Sequence, residues 1–262
     1  STGTLTVRNG GSVGGDGQLS AAVLRVRNDA VLSLSDLSFI PDIGIDASSL
    51  TVQGDLLLGG SSPGQVVAVS GGSVLGVSGT TRLGTSSGAA VAMQLTDTSF
   101  STASLLIGGS GAGSSLTLDS GAFLDVSDTL GVNADGSLFV NGVGSRVDAA
   151  VLDVNGGVFQ AGADAVINLG TATVRGGGVL GGAGQVNADL VTVVLGSSLD
   201  LQRVDGIRAL TFDGGALLDT TGTLVIGAAS GQTVTVTNGG FVDASGALAI
   251  GGAGAPGSLV VS

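Results

Sequence analysis

The chain has 262 residues, 50 of them glycine, and a formal net charge of −12 from 20 aspartates and 8 arginines. It contains no His, Cys, Trp, Tyr, Lys or Glu, which excludes histidine-activated Ser or Cys nucleophiles, zinc sites built from Cys or His, and catalysis by lysine. The negative charge also argues against nucleic acid as a partner, because an acidic surface repels phosphate backbones.

Short strands are predicted along the chain in place of helices. Apolar and polar residues alternate in residues 24–27, 32–35, 116–118 and 233–237, and a period of two is typical of strands with one buried face. Glycines interrupt almost every longer segment, and the good helix formers Glu and Lys are missing. The run Phe39-Ile40-Pro41-Asp42 breaks the alternation, so we expect an extruded loop over residues 37–47.

The sequence contains a repeat in which a predicted strand ends in an apolar residue followed by a glycine. Three pairs of such ends are separated by 25, 23 and 24 residues, namely Leu58-Gly59 with Leu83-Gly84, Ile107-Gly108 with Leu130-Gly131, and Ile226-Gly227 with Ile250-Gly251. Turns are predicted between the strands because Asn-Gly and Gly-Gly accept positive φ at little steric cost. These structural turn residues are Asn9, Gly10, Gly11, Gly71, Gly72, Gly121, Asn155, Gly156, Gly157, Asn238, Gly239 and Gly240.

The repeat predicts an all-β fold, a right-handed parallel β-helix (β-solenoid) of about a dozen rungs. One unit cannot enclose a core by itself, whereas stacked units bury a continuous one. Residues 1–262 are predicted to form a single solenoid domain, a segment of a longer exported protein. We expect the seven phenylalanines inside the solenoid, with Phe39 alone allowed on a loop. An antiparallel β-sandwich is the structural alternative, because the same turns would also close hairpins.

Several of these motifs resemble repeats of exported bacterial proteins. Residues 107–145 and 225–262 resemble the repeat of autotransporter passengers and PEP-CTERM-type proteins, through Ile107-Gly108, Ser120-Gly121-Ala122, Asn141-Gly142-Val143-Gly144-Ser145 and Val225-Ile226-Gly227. Residues 176–199, which begin Gly176-Gly177-Gly178-Val179-Leu180-Gly181-Gly182, resemble the passenger-associated transport repeat. The resemblance implies an exported β-solenoid located at the bacterial outer surface or in the extracellular space.

The sequence therefore predicts a non-enzymatic scaffold or adhesin stalk, secreted or at the cell surface. No catalytic, cofactor-binding or metal-binding residue is predicted, and no cofactor is expected. Residues 256–262 followed by residues 1–7 read almost in register with the repeat, so we expect self-assembly end to end into an extracellular fibre or matrix. A host or matrix surface is the other expected partner, and no run of 18 apolar residues predicts a membrane span in this segment.

Two alternative functions remain open at this stage. A carbohydrate-active lyase or hydrolase would use Asp125 with Asp128, or Asp148 with Asp153, as its acid and base, although no Trp or Tyr is present to stack on sugars. A calcium-stabilised adhesive module would use loops such as Gly14-Gly15-Asp16-Gly17 and Gly181-Gly182-Ala183-Gly184, which lack the aspartate that calcium repeats require. Threonine pairs such as Thr171/Thr173 do not recur at the repeat spacing, so the regular Thr-x-Thr ladder that ice binding needs is not predicted.

Overall fold

The computed structural model describes residues 3–15, 19–34, 37, 40–59, 64–84, 89–109, 111, 113–194, 196–220, 224–226, 231–251 and 256–262. Its strands are short and follow one another closely along the chain. They are β1 (Thr4–Arg8), β2 (Ser12–Gly14), β3 (Val23–Arg27), β4 (Val31–Ser33), β5 (Asp42–Asp46), β6 (Ser49–Val52), β7 (Leu56–Leu58), β8 (Gln65–Ser70), β9 (Val74–Leu83), β10 (Val91–Thr96), β11 (Ser99–Ile107), β12 (Ser114–Asp119), β13 (Phe123–Asn133), β14 (Gly136–Val140), β15 (Arg146–Asn155), β16 (Val158–Ala161), β17 (Val166–Arg175), β18 (Val179–Gly182), β19 (Gln185–Val193), β20 (Ser198–Leu201), β21 (Ile207–Phe212), β22 (Leu217–Thr220), β23 (Leu224–Ile226), β24 (Gln232–Val236), β25 (Phe241–Ala244), β26 (Leu248–Ile250) and β27 (Gly257–Val261).

These strands form two large sheets that run the length of the solenoid. The first sheet has twelve strands in the order β1-β3-β5-β8-β10-β12-β14-β16-β18-β20-β22-β25. The second has thirteen, in the order β2-β4-β6-β9-β11-β13-β15-β17-β19-β21-β24-β27 with β7 beside β9, and β23 pairs with β26 separately. The chain thus passes from the first sheet to the second and returns one layer further along, which makes one coil.

Every strand pair among the described residues is parallel. The predicted parallel β-helix of about a dozen coils is confirmed, and the antiparallel sandwich is wrong. One isolated antiparallel bridge, between Asn133 and Gly156, is the exception to parallel contact in this part of the chain. None of the described segments forms a helix long and apolar enough to span a bilayer.

The long strands of the second sheet are interrupted near their middle. In β11 and β13 the register shifts after Thr102 and Val126, and pairing resumes at Leu105 opposite Leu130. Such an irregularity bends a strand, so each long strand has a proximal half before the shift and a distal half after it. Each coil therefore presents three surfaces to solvent, namely the first sheet, the proximal half and the distal half.

Alternate side chains point inward and form one continuous core. Phe100, Phe159 and Phe212 are completely buried there, and burying a large apolar side chain contributes about 1.5–3 kcal/mol. The expectation that all phenylalanines except Phe39 lie inside is wrong. Phe241 is 60% exposed, and Phe123 is partly exposed beneath the guanidinium of Arg146, 5.5 Å from its ring centroid. Phe39 lies outside the described residues.

The length of the coil varies along the solenoid, which corrects the predicted regular step. In-register partners are 19 residues apart at Val7 and Val26 but 26 apart at Val69 and Leu95. The pairing of Leu58 with Leu83 is as predicted. Ile107, however, pairs with Val132 and not with Leu130. Because inward residues recur at every second position, a shift of two residues leaves the apolar pattern unchanged, and the sequence pattern alone does not detect it.

The predicted loop over residues 37–47 is largely part of the coil. Residues 42–46 form β5, which pairs with β3 and β8, and Leu37 and Ile40 are buried. The N–H of Ile40 donates to the carbonyl of Leu37 at 3.2 Å and closes a short turn. The described residues of this segment therefore belong to the coil, and the side chains of Leu37 and Ile40 lie in the core.

Candidate functional site

The predicted turn residues occupy two different corners of the coil. Six lie where the first sheet leads to the second, between β1 and β2, β8 and β9, and β12 and β13: Asn9, Gly10, Gly11, Gly71, Gly72 and Gly121. Six lie where the second sheet returns to the first: Asn155, Gly156, Gly157, Asn238, Gly239 and Gly240. Positive φ occurs at eight of these twelve positions, and the others, Gly11, Asn155, Gly157 and Gly240, have ordinary φ.

The aspartate pairs proposed from the sequence are arranged differently in the structure. Asp148 and Asp153 lie in the proximal and distal halves of β15, and each contacts its own arginine. Asp148 forms an ion pair with Arg146, and Asp153 forms an ion pair with Arg175 at 2.7 Å. Asp125 lies in register with Asp148 of the next coil, and both line a shallow depression of about 310 Å³.

The surroundings of Asp148 favour its ionised form. Partial burial would raise the pKa of Asp148, but hydrogen bonds from Arg146 and Asn168 outweigh it and hold that pKa below its ordinary value. Asp148 is therefore ionised at neutral pH and cannot serve as the general acid that glycoside hydrolysis needs. The arrangement makes it part of a structural ladder.

That ladder continues through side-chain amides of the following coils. The amide of Asn168 donates to Asp148 at 2.7 Å, and the amide of Asn187 donates to Asn168 at 2.8 Å. Asn187 in turn accepts a hydrogen bond of 3.0 Å from Gln185. Stacked side chains that satisfy one another in this way fix the register between coils.

The structure offers little support for a metal site in the residues it describes. They contain no group of three or more Asp side chains placed to hold a metal ion. Asp16 and Gly17, which belong to the first calcium-like loop, lie outside the described residues. Gly181 and Gly182 of the second loop lie in β18, within the first sheet.

A column of single threonines is present, although no regular Thr-x-Thr ladder forms among the described residues. Thr173, Thr192, Thr211 and Thr235 occupy matching positions on four successive coils. The spacing of 19, 19 and 24 residues concealed this column from a search at a fixed step. The second position of the Thr-x-Thr pattern is filled by Leu190 and Ala209 in the two middle coils, so the array remains a single column.

A concave groove of about 770 Å³ runs along the distal halves of the second sheet. Its polar side chains are Arg82, Asn133 and Asn155, and glycines such as Gly84 and Gly108 leave the floor bare. A Cβ atom on Gly108 would lie 2.6 Å from Cα of Gly136 in the neighbouring coil. The groove therefore exists because the backbones approach too closely there for any side chain.

The two ends of the solenoid form a second candidate surface. Leu5 and Val13 in the first coil and Val242, Ala244 and Leu259 in the last point toward the core but are only partly buried. Their in-register partners one coil further inside, Leu24, Leu32, Leu218 and Val234, are 0% exposed. The described residues thus leave both ends of the core uncovered.

The groove residues were not identified from the sequence, because the groove depends on the stacking register. The partly exposed inward side chains of the first and last described coils follow from the fold, since a solenoid leaves unpaired strands at its ends unless they are capped. Comparison with protein-family models, with curated proteins and with solved structures finds no significant match to the chain.

Proposed function

We propose that the protein is a non-enzymatic structural scaffold that lengthens by end-to-end stacking of copies. The observation that carries this proposal is the partly exposed inward side chains of both terminal coils. A second copy that added its first coil to the last coil of another would cover these side chains and continue the core. Repeated head-to-tail contacts of this kind produce fibres, because the interface is heterologous and does not close.

The last coil exposes more apolar surface than an ordinary coil of this chain. Phe241 is 60% exposed, Ile250 51% and Val261 73%. Strands β25, β26 and β27 each pair on one side only among the described residues. Unpaired backbone groups next to apolar side chains are a template for adding another strand.

The charges of the two ends are complementary. Asp200, Asp219 and Asp243 stack in register on three successive coils of the first sheet at the C-terminal end. At the other end of the same sheet, β1 and β3 carry Arg8, Arg25 and Arg27, of which Arg25 is paired with Asp42. Residues 1–27 contain three arginines and one aspartate, whereas residues 209–262 contain three aspartates and no arginine. The opposite charges favour head-to-tail contact over tail-to-tail contact.

The inward positions of the two ends also match in spacing. Val242 and Ala244 are the inward residues of β25, and Leu5 and Val7 are those of β1. Placing Leu5 over Val242 puts Val7 over Ala244 and Thr6 over Asp243. The arginines of the incoming copy then approach the stacked aspartates at about 4.8 Å per coil.

The test places a charge inside the proposed junction. Leu5→Lys and Val242→Lys, separately, should shift the protein from polymer to monomer, because the new charge would be buried without a partner. Val66→Lys is the matched control, since Val66 is 49% exposed in the middle of the first sheet and should leave assembly unchanged. The measurement is light scattering coupled to gel filtration, with electron microscopy of the void fraction. A wild-type protein that stays monomeric at high concentration would overturn the proposal.

We also propose that the scaffold works outside the cell, as a surface stalk or matrix component. The support is the resemblance of residues 107–145, 176–199 and 225–262 to exported repeats, together with a chain free of cysteine. Antibody labelling of intact cells that carry the natural gene tests this location. Labelling that appears only after the cells are lysed would contradict it.

A further inference from the structure

The groove on the distal halves is long, narrow and crosses several coils. Its lining extends from Leu57 of β7 to Gly176, just beyond β17. These residues belong to six successive coils, a length of about 24 Å at about 4.8 Å per coil. A groove of this length and of about 770 Å³ suits an extended ligand of several units.

Arg82 is the charged residue of the described groove lining, and none of the described residues pairs with it. Five arginines of the chain form ion pairs with aspartates, but the guanidinium of Arg82 makes neither an ion pair nor a hydrogen bond to any described residue. The part of the lining that the structure describes contains no aspartate. In a chain of net charge −12, this makes the groove a local site for an anion.

Two leucines flank that arginine in the neighbouring coils. Leu57 is in register with Arg82 on one side, and Leu106 on the other. Both leucines line the groove, and Leu57 is 37% exposed. The cation therefore lies between two apolar surfaces, which exclude water and strengthen a pairing with a carboxylate.

Two amide side chains extend the polar surface along the groove. Asn133 and Asn155 are in register on adjacent coils, about 10 and 14 Å from Arg82 along the solenoid axis at about 4.8 Å per coil. Neither amide makes a side-chain hydrogen bond to a described residue. Each offers two N–H donors and one carbonyl acceptor to a ligand.

The floor of the groove discriminates between classes of ligand. The N–H groups of Gly84, Gly108 and Gly156 donate to carbonyls of adjacent coils at 3.2, 3.0 and 2.9 Å. A peptide that bound as an additional strand would need free backbone groups, which these glycines do not offer. Recognition must therefore come from side chains, through a carboxylate contact, hydroxyl contacts and packing on leucine.

We propose that this groove binds an oligosaccharide that carries carboxylate groups. Arg82 pairs with a uronate carboxylate, Asn133 and Asn155 bond to ring hydroxyls further along the chain, and Leu57 and Leu106 pack against the C–H faces of the ring. The site is independent of end-to-end stacking. It would attach the scaffold to an acidic polysaccharide.

The experiment measures binding of tetragalacturonate by isothermal titration calorimetry, with cellotetraose as the neutral ligand of equal length and tetra-aspartate as an acidic peptide. Tetragalacturonate should bind, and Arg82→Gln should weaken it about tenfold or more. Asn133→Ala and Asn155→Ala should each weaken it severalfold. Arg208→Gln is the control, because the Arg208 side chain is 72% exposed and lies outside the groove lining.

Each result bears on the proposal. Tighter binding of tetragalacturonate than of both other ligands, lost in Arg82→Gln and kept in Arg208→Gln, supports it. Equal binding of cellotetraose, equal binding of tetra-aspartate, or an unchanged Arg82→Gln variant overturns it. An absence of binding at millimolar ligand also overturns it, and circular dichroism of each variant verifies that the fold is intact.

Discussion

Gln65 and Gln232 make the same pair of hydrogen bonds in two distant parts of the solenoid. Both side chains are 0% exposed. The amide of Gln65 donates to the carbonyls of Leu37 at 2.8 Å and Ile40 at 2.7 Å, and the amide of Gln232 donates to those of Val204 at 2.7 Å and Ile207 at 2.9 Å. Each glutamine thus binds the first and last carbonyls of a four-residue span in the preceding coil.

Replacing Gln65 should destabilise the solenoid. Gln65→Leu keeps a side chain of similar volume but removes the donor to the buried carbonyl of Ile40 and the side-chain oxygen that accepts from the N–H of Gly59. Each buried polar group that loses its partner costs about 1–3 kcal/mol. We expect the free energy of unfolding to fall by about 2 kcal/mol or more in urea titrations. Gln94→Leu is the control, since Gln94 is exposed on β10, and it should stay within about 0.5 kcal/mol of wild type. Equal effects of the two substitutions would refute the proposed role.

Two glycines at different corners should respond differently to a side chain. Gly72 has a φ of +73° and open space around it, whereas Gly157 has an ordinary φ and a Cβ there would lie 2.7 Å from the carbonyl oxygen of Val132. Gly72→Ala should cost about 1–2 kcal/mol from backbone strain, and Gly157→Ala at least as much from overpacking.

Substitution with asparagine separates these two causes. Asn adopts positive φ readily, so Gly72→Asn should unfold within about 0.5 kcal/mol of wild type. Gly157→Asn should be at least as destabilised as Gly157→Ala, because its side chain meets the same backbone. If the Asn variants were more stable than the Ala variants at both sites in thermal or urea unfolding, a clash would not be the cause of destabilisation at residue 157.

The ion pairs should make the fold sensitive to acid. Arg25 holds the pKa of Asp42 below its ordinary value through a side-chain hydrogen bond, and Arg203 does the same for Asp205. A folded-state pKa below the unfolded one contributes stability above about pH 4, and that stability is lost as the pH falls through the folded pKa. We therefore expect the melting temperature of wild type to fall between about pH 5 and pH 2.

A variant identifies the contribution of one pair. Asp42→Asn should melt below wild type at pH 7, and the difference should shrink as the pH falls, because acid protonates Asp42 in wild type as well. Differential scanning calorimetry across the same pH range measures both curves. A difference that stays constant down to pH 2 would mean that the carboxylate of Asp42 does not contribute through its charge.

The fold was accessible from the sequence because two local signals agreed. Alternation of apolar and polar residues predicted the strands, and turns such as Asn9-Gly10 predicted the corners. Stacking follows, since no single coil of small residues encloses a core. The register was less accessible, because coils of unequal length keep the same alternation. A shift of two residues, as between Ile107 and Leu130, leaves the inward pattern intact.

The candidate sites depend on that register and were correspondingly harder to predict. Asp125 lies in register with Asp148 of the next coil, whereas each aspartate pair considered from the sequence lies within a single strand. The groove around Arg82 likewise arises from six coils in a particular alignment. The glutamine contacts had one faint signal, a Gly-Gln step before an alternating run, at Gly64-Gln65 and Gly231-Gln232.

The stacked aspartates of the first sheet should affect stability and assembly in opposite directions. Asp219 lies between Asp200 and Asp243 in adjacent coils, and like charges directly opposite each other in a sheet repel by about 0.2–1 kcal/mol. Asp219→Asn should therefore stabilise the isolated chain by about 0.5 kcal/mol in urea unfolding. The same substitution removes attraction for the arginines of an incoming copy, so it should raise the concentration at which polymers form. Asp55→Asn is the control, since Asp55 lies away from both ends, and it should leave the polymerisation threshold unchanged. If Asp219→Asn instead lowered that threshold, apolar contact alone would drive stacking, and the charges of the two ends would have no part in choosing its direction.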